Sequence, residues 1–190
     1  MTATGSLVIK PGQGMGDTLF SQMVLRTLPF WGTGISPNLL TMLGMVFSGL
    51  CVRALYRKEA IFVLFFAIRT YFDFADGQFA RKHDKETDTG DLLDHIGDTV
   101  FIMCVSHFIF LNCTLPVKIV FGAFSVVSLL YIGQLETNCV DLKGCSHGNS
   151  LVFAKWLSRR LPESLRTGVR LTGDTVTVSL ITCLILLNTI

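Results

Sequence analysis

An all-α, polytopic helical membrane protein, with five clear transmembrane helices behind an N-terminal amphipathic interfacial helix, is the fold class this sequence predicts. Three observations carry the prediction. Half of the 190 residues are hydrophobic and only 16% are charged, with a mean hydropathy of +0.54, too little charge to cover a soluble domain of this length. Several apolar stretches approach 18 residues, the length a helix needs to cross a bilayer. Fifteen Phe lie among them. The net charge of +2 is too small to argue for a nucleic-acid partner, and the first apolar run, LVI, is too short for a cleavable signal.

The elements follow in order. Residues 1–34 read as a flexible Gly-rich lead-in and an interfacial helix, and residues 35–190 as one membrane domain. GQGMG has neither the spacing nor the preceding strand of a dinucleotide-binding turn. From Asp17 to Leu28 the residues Leu19, Phe20, Met23, Val24 and Leu28 recur at helical spacing, which predicts a helix lying on the membrane with Trp31 as its anchor. Pro37 suits the first turn of a span from Asn38 to Tyr56, closed by Arg53, Arg57 and Lys58. Further spans are expected from about Ala60 into the acidic stretch near Asp73, from Gly90 to Leu111, from Pro116 to Leu135 and from Thr175 to Ile190.

The segment from Asn138 to Gly173 is apolar only over SLVFAKWL, followed by SRRLPESLRTGVR. Charge decides its reading. With five spans, eleven Lys and Arg fall on the side of the N-terminus and four on the other, whereas a sixth span near residue 150 would move the late arginines across and spoil the bias. A basic amphipathic segment on the membrane surface is therefore expected there. Of the six Cys, Cys51, Cys104 and Cys183 lie inside apolar runs and read as small buried hydrophobes. Cys139, Cys145 and His147 lack the C-x-x-C pair of a metal knuckle. The sequon at Asn112 sits in a connection too short and too near the membrane to be a glycosylation site.

The acids interrupt this pattern. Asp73 and Asp76 lie three apart at the end of the second span, and Asp94 and Asp98 four apart at the start of the third, so each pair occupies one face of a helix. The short polar link KHDKETDT predicts an antiparallel hairpin that brings all four to one membrane surface. Such a cluster repels itself in a medium of low dielectric unless a cation joins it, and hard oxygen ligands favour Mg²⁺ or Mn²⁺ over zinc. Gly77, Ala80 and Gly97 permit close helix approach or leave room for a flat ligand. Acids at helix ends facing water are the plainer alternative for any one of them. The set as a whole argues otherwise, because it spells DGxxAR from Asp76 to Arg81 and GxxxDxxxD from Gly90 to Asp98, with eight residues between.

That pattern resembles the signature of the CDP-alcohol phosphotransferases, membrane enzymes with a helical core commonly of six spans. They transfer a phospho-alcohol from a CDP-linked donor to an acceptor alcohol and release CMP. The resemblance implies a metal site of Asp73, Asp76 and Asp94 completed by Asp98, a cytidine bordered by Gly77 and Ala80, and a donor phosphate held by Arg81. Asn38 and Gly90 are further substrate-binding candidates. The base that takes the acceptor proton is Asp98 or, within the same motif, His95. GDLLDH at 90–95, ISPNLLTMLG at 35–44 and DTLFSQMVLRTLPFW at 17–31 are similar to stretches of the choline and ethanolamine phosphotransferases, although Ile96 stands here between His95 and Gly97.

The function this implies is transfer of phosphoethanolamine or phosphocholine from a CDP-alcohol to diacylglycerol. One alternative is a phosphatidylinositol or phosphatidylglycerophosphate synthase using CDP-diacylglycerol. Arg159, Arg160, Arg166 and Arg170 suit either its phosphorylated acceptor or anionic lipid. Another is an inactive relative acting as a membrane scaffold. A cation carrier would leave Gly77, Ala80 and Arg81 without a reason. The resemblance also implies a homodimer formed through the spans and, in a eukaryote, the endoplasmic reticulum membrane.

Overall fold

The structure, a computed structural model, describes residues 14–27, 34–85, 87–141, 156–157, 159–172 and 175–188. They form seven helices: α1 (Met15–Thr27), α2 (Pro37–Tyr56), α3 (Phe62–Lys82), α4 (Asp88–Asn112), α5 (Leu115–Asp141), α6 (Glu163–Thr172) and α7 (Thr175–Leu187). No strand occurs among the described residues.

Local signals explain where the central helices begin. The Ser36 hydroxyl accepts from the Leu39 N–H at 3.3 Å, and Pro37 occupies the first turn of α2. Thr87 caps α4 in the same way, accepting from the Gly90 N–H at 3.1 Å. Between α2 and α3 the chain reverses through Lys58, whose φ of 56° is the left-handed conformation that ends a helix sharply.

α2 is the spine. It buries Leu40, Thr41, Gly44, Cys51, Ala54 and Leu55 and turns Leu39, Met42 and Val46 outward. α3 and α4 each pack on α2 more extensively than on each other. The expected antiparallel hairpin is thus a pair of helices splayed on a third, with a cleft between them. At the end remote from the acids, Phe62 and Phe66 of α3 join Phe101, Val105, Phe108 and Ile109 of α4 in one core, closed by Cys183 and Leu186 of α7. Nearer the acids, Val24 of α1 packs with Leu40, Phe72, Ala75 and Phe79.

α2, residues Leu92–Asn112 of α4 and Leu115–Leu135 of α5 are long and apolar enough to cross a membrane. With the family reported below, they make the chain an integral membrane protein. α3 has the length, 21 residues, but carries Arg69, Asp73, Asp76, Arg81 and Lys82. Arg69 and Asp76 are buried in the bundle, so lipid does not meet those charges. α7, where the last span is expected, has 13 described residues. At 1.5 Å per residue that is about 20 Å, short of a hydrocarbon core of about 30 Å. Residues 142–155, with Cys145, His147 and most of the SLVFAKWL segment, lie outside the described residues, as does Trp31. Val169 and Leu161 pack on Tyr131 and Leu135 of α5. Cys51, Cys113 and Cys183 are buried, and Cys104 is partly buried.

α1 departs from the expectation of a helix merely resting on the membrane. Phe20 meets Phe74 edge-on at 5.0 Å, and Leu19 and Met23 stay exposed, but Asp17 is only 2% exposed. Its carboxylate accepts from the Tyr131 hydroxyl at 2.8 Å and from the Val176 N–H at 3.0 Å, and the Gly14 N–H donates to the same Tyr131 oxygen at 2.7 Å. Asp17 therefore caps the first turn of α7 from another helix and ties α1, α5 and α7 together.

Candidate functional site

The cleft between α3 and α4 is floored by Thr41, Gly44, Met45 and Ser48 of α2. Arg69, Asp73 and Asp76 form one wall and Asp94, Gly97 and Asp98 the other. It encloses about 250 Å³, including the part open to solvent. Small residues let the walls come in. A Cβ on Gly97 would meet Met45 Cγ at 3.2 Å, and one on Gly44 would meet the Phe72 Cβ at 3.5 Å.

Carboxylate oxygens of Asp73, Asp94 and Asp98 lie within 4.8 Å of one another. Oxygens sharing one Mg²⁺ at about 2.1 Å lie within about 4.2 Å of each other, so a small side-chain rotation lets these three hold a hard divalent ion. Asp76 lines the same cleft but is held apart. It is 5% exposed, accepts from the Thr41 hydroxyl at 2.5 Å, and receives its neighbour Gly77's N–H at 2.5 Å.

The other predicted residues fall into two groups. Asn38 and Gly90 come together: a Cβ on Gly90 would lie 2.9 Å from Asn38 Oδ1 and 3.0 Å from Thr87 Oγ1. The Arg81 guanidinium folds back over Gly77, 3.3 Å from where a Cβ would stand. Ala80, 9% exposed, lies one turn beyond Asp76 on α3. His95 is half-buried on α4 next to Asp94, and it does not line the cleft.

Sequence reasoning missed Arg69 of α3. It is 8% exposed, its NH2 donates to Asp98 Oδ1, and the same nitrogen lies 3.5 Å from Asp73 Oδ1. Its guanidinium carbon sits 4.6 Å from the centre of the Phe101 ring. The signal was available: Arg69 precedes Asp73 by four residues, so both must share a helix face. Thr41 and Ser48 were also missed, and nothing local in α2 marks them.

No curated protein and no solved structure matches the chain. The family model described as CDP-alcohol phosphatidyltransferase matches residues 34–146, more than half of the chain and the whole of the cleft. Members transfer a phospho-alcohol from a CDP-alcohol in phospholipid synthesis and are generally dependent on a divalent metal ion. With the acid pattern, the cleft and this match in agreement, the chain belongs to the CDP-alcohol phosphatidyltransferase family.

Proposed function

We propose that this transferase moves phosphoethanolamine or phosphocholine from its CDP-alcohol to diacylglycerol, releasing CMP, with Asp73, Asp94 and Asp98 holding Mg²⁺ or Mn²⁺ and Asp76 completing the set. The observation that carries the reading is the convergence of Asp73 from α3 with Asp94 and Asp98 from α4 within 4.8 Å. A bound divalent ion would neutralise charge on the donor's diphosphate and on the departing CMP.

The chain's own groups supply the rest. Gly77 and Ala80, small residues on α3 beside Asp76, would border the cytidine, and Arg81, folded over Gly77, suits a donor phosphate. Asn38 beside Gly90 supplies a polar side chain one turn before Thr41 on α2. The acceptor hydroxyl attacks the phosphorus bearing the alcohol, the bond to the CMP oxygen breaks, and the proton goes to a carboxylate. Asp98 fits that role because it lines the cleft, and His95 keeps it as the second candidate. The Thr41 hydroxyl fixes the Asp76 carboxylate on the cleft wall. In a eukaryotic cell the endoplasmic reticulum membrane suits this reaction, and pairing of two copies through their spans belongs to the same reading.

CMP release by purified protein in lipid–detergent micelles tests the proposal. CDP-ethanolamine and CDP-choline with diacylglycerol are compared with CDP-diacylglycerol plus inositol or glycerol 3-phosphate. Turnover of an aminoalcohol donor that disappears in Asp94→Asn is the expected result. Turnover of CDP-diacylglycerol alone would reassign the lipid to the donor side. Nucleotide binding without turnover of any donor would reduce the chain to a scaffold.

A further inference from the structure

One residue of the cleft has no part in the transfer as described. Arg69 is buried within a helix of membrane-spanning length, and its guanidinium stays protonated at any accessible pH. It bonds Asp98 on α4 and lies 3.5 Å from Asp73 on α3, bridging the two walls. The Phe101 ring centre lies 4.6 Å from its guanidinium carbon and covers that side of it. Among the described residues that line the cleft, it is the one cationic side chain.

We propose that Arg69 is a tethered counter-ion: a positioning residue that holds Asp73 and Asp98 together when no ion is bound, and that makes divalent-ion binding weaker and reversible. The inference rests on the metal reading of the acid cluster. Three carboxylates within 4.8 Å repel one another, and a fixed positive charge between two of them offsets part of that repulsion. The same charge repels an incoming divalent ion and takes up an Asp98 oxygen the ion would share.

Removing the charge therefore acts twice in one direction. The ion-free cluster loses its counter-charge, and the ion-bound cluster loses a repulsion. The opposing effect is the loss of the bond that orients Asp98. A single charge-assisted hydrogen bond is smaller than the Coulomb energy between a monovalent and a divalent cation a few ångströms apart in a partly buried site. Neutralising Arg69 should therefore tighten the ion.

The test is Mn²⁺ titration of the purified full chain in detergent micelles, read by the electron paramagnetic resonance signal of free Mn²⁺. Unfolding temperatures with and without Mn²⁺ are recorded alongside. Arg69→Met should bind Mn²⁺ at least about tenfold more tightly than the unmodified protein. Its unfolding temperature should also rise more when Mn²⁺ is added. Arg69→Lys, which keeps the charge without the fork, should stay within about threefold of the unmodified protein. Equal or weaker binding by Arg69→Met overturns the proposal, and ion binding by the unmodified protein would then leave the metal reading standing. An Arg69→Lys shift as large as that of Arg69→Met also overturns it, because the role would lie in fork geometry and not in charge. If neither the unmodified protein nor Arg69→Met binds Mn²⁺ better than Asp94→Asn, both the proposal and the metal reading fall.

Discussion

α2 and α5 are both apolar helices long enough to cross a membrane, yet they are built for different surroundings. One third of α2's most apolar window, 33%, is buried within the protein, against 6% for α5. α5 meets α4 only sparingly and makes its main contacts with α6 and α7. The difference follows the charges. α3 carries an arginine and two aspartates that lipid cannot accommodate, so α2 and α4 must enclose them. From Leu115 to Leu135 α5 has one charged residue, Lys118, placed 5.0 Å from the Phe110 ring near its starting end. Between Ile119 and Leu130 nothing charged on α5 demands a protein neighbour, because lipid tails solvate apolar side chains as well as another helix would; Tyr131, bonded to Asp17 and Gly14, is the exception. Close packing here is a requirement of the polar cleft and not of spanning.

The largest expected effect falls on the chemistry of the packed half. Asp94→Asn and Asp73→Asn should each lower CMP release by at least about a thousandfold, the rate equivalent of the several kcal/mol that a correctly held metal ion contributes. Their unfolding temperatures should hold steady or rise, since each removes one member of a repelling cluster. Loss of activity together with loss of fold would make these acids structural.

Packing in the same half is the next target. Gly97→Leu places a branched side chain where even a Cβ lies 3.2 Å from Met45. Overpacking of this kind costs about 1–3 kcal/mol and pushes α4 off α2, which would also open the cleft. Thermal unfolding and CMP release should fall together. Unchanged unfolding would show that α2 and α4 are less tightly joined than Gly97 and Met45 indicate.

These two sites also mark what could be read in the chain beforehand. The spacing of Asp73, Asp76, Asp94 and Asp98 declares a shared site because helical periodicity is local. What separates Asp76 from the other three is Thr41, 35 residues away on α2, and no pattern around Asp76 encodes that hydrogen bond. The short link between α3 and α4 suggested a hairpin, yet the large apolar face of α2 wins both helices. Asp17 is the clearest case. In sequence it is an acid in the first turn of its own helix, a place the helix dipole favours. Its partners Tyr131 and Val176 lie 114 and 159 residues on, and only the folded chain brings them to it.

That junction is where the loosely packed half is fastened to α1, and a smaller effect is expected there. Tyr131→Phe keeps the ring but removes the hydroxyl that donates to Asp17 and accepts from Gly14. Two buried partners lose a hydrogen bond each, a cost of about 1–3 kcal/mol. For a chain of this size that is a fall of several degrees in unfolding temperature, roughly 2–4 °C per kcal/mol. CMP release at temperatures below the transition should barely move, because neither residue lines the cleft. A collapse of activity without unfolding would instead join α1 to the catalytic cycle.

The smallest effect is expected on α5 itself, and it gives the comparison its control. Gly122 is exposed, and a Cβ built there meets nothing within 4 Å. Gly122→Leu adds an apolar side chain to a helix face that is apolar already and replaces a poor helix former by a good one. Stability in lipid should change by no more than about 0.5 kcal/mol, or improve slightly, with CMP release unaltered. The same substitution thus meets Met45 at residue 97 and open space at residue 122. A Gly122→Leu variant as damaged as Gly97→Leu would mean that α5 has a close protein neighbour in the membrane, and its low burial would then mark an interface and not a lipid-facing surface.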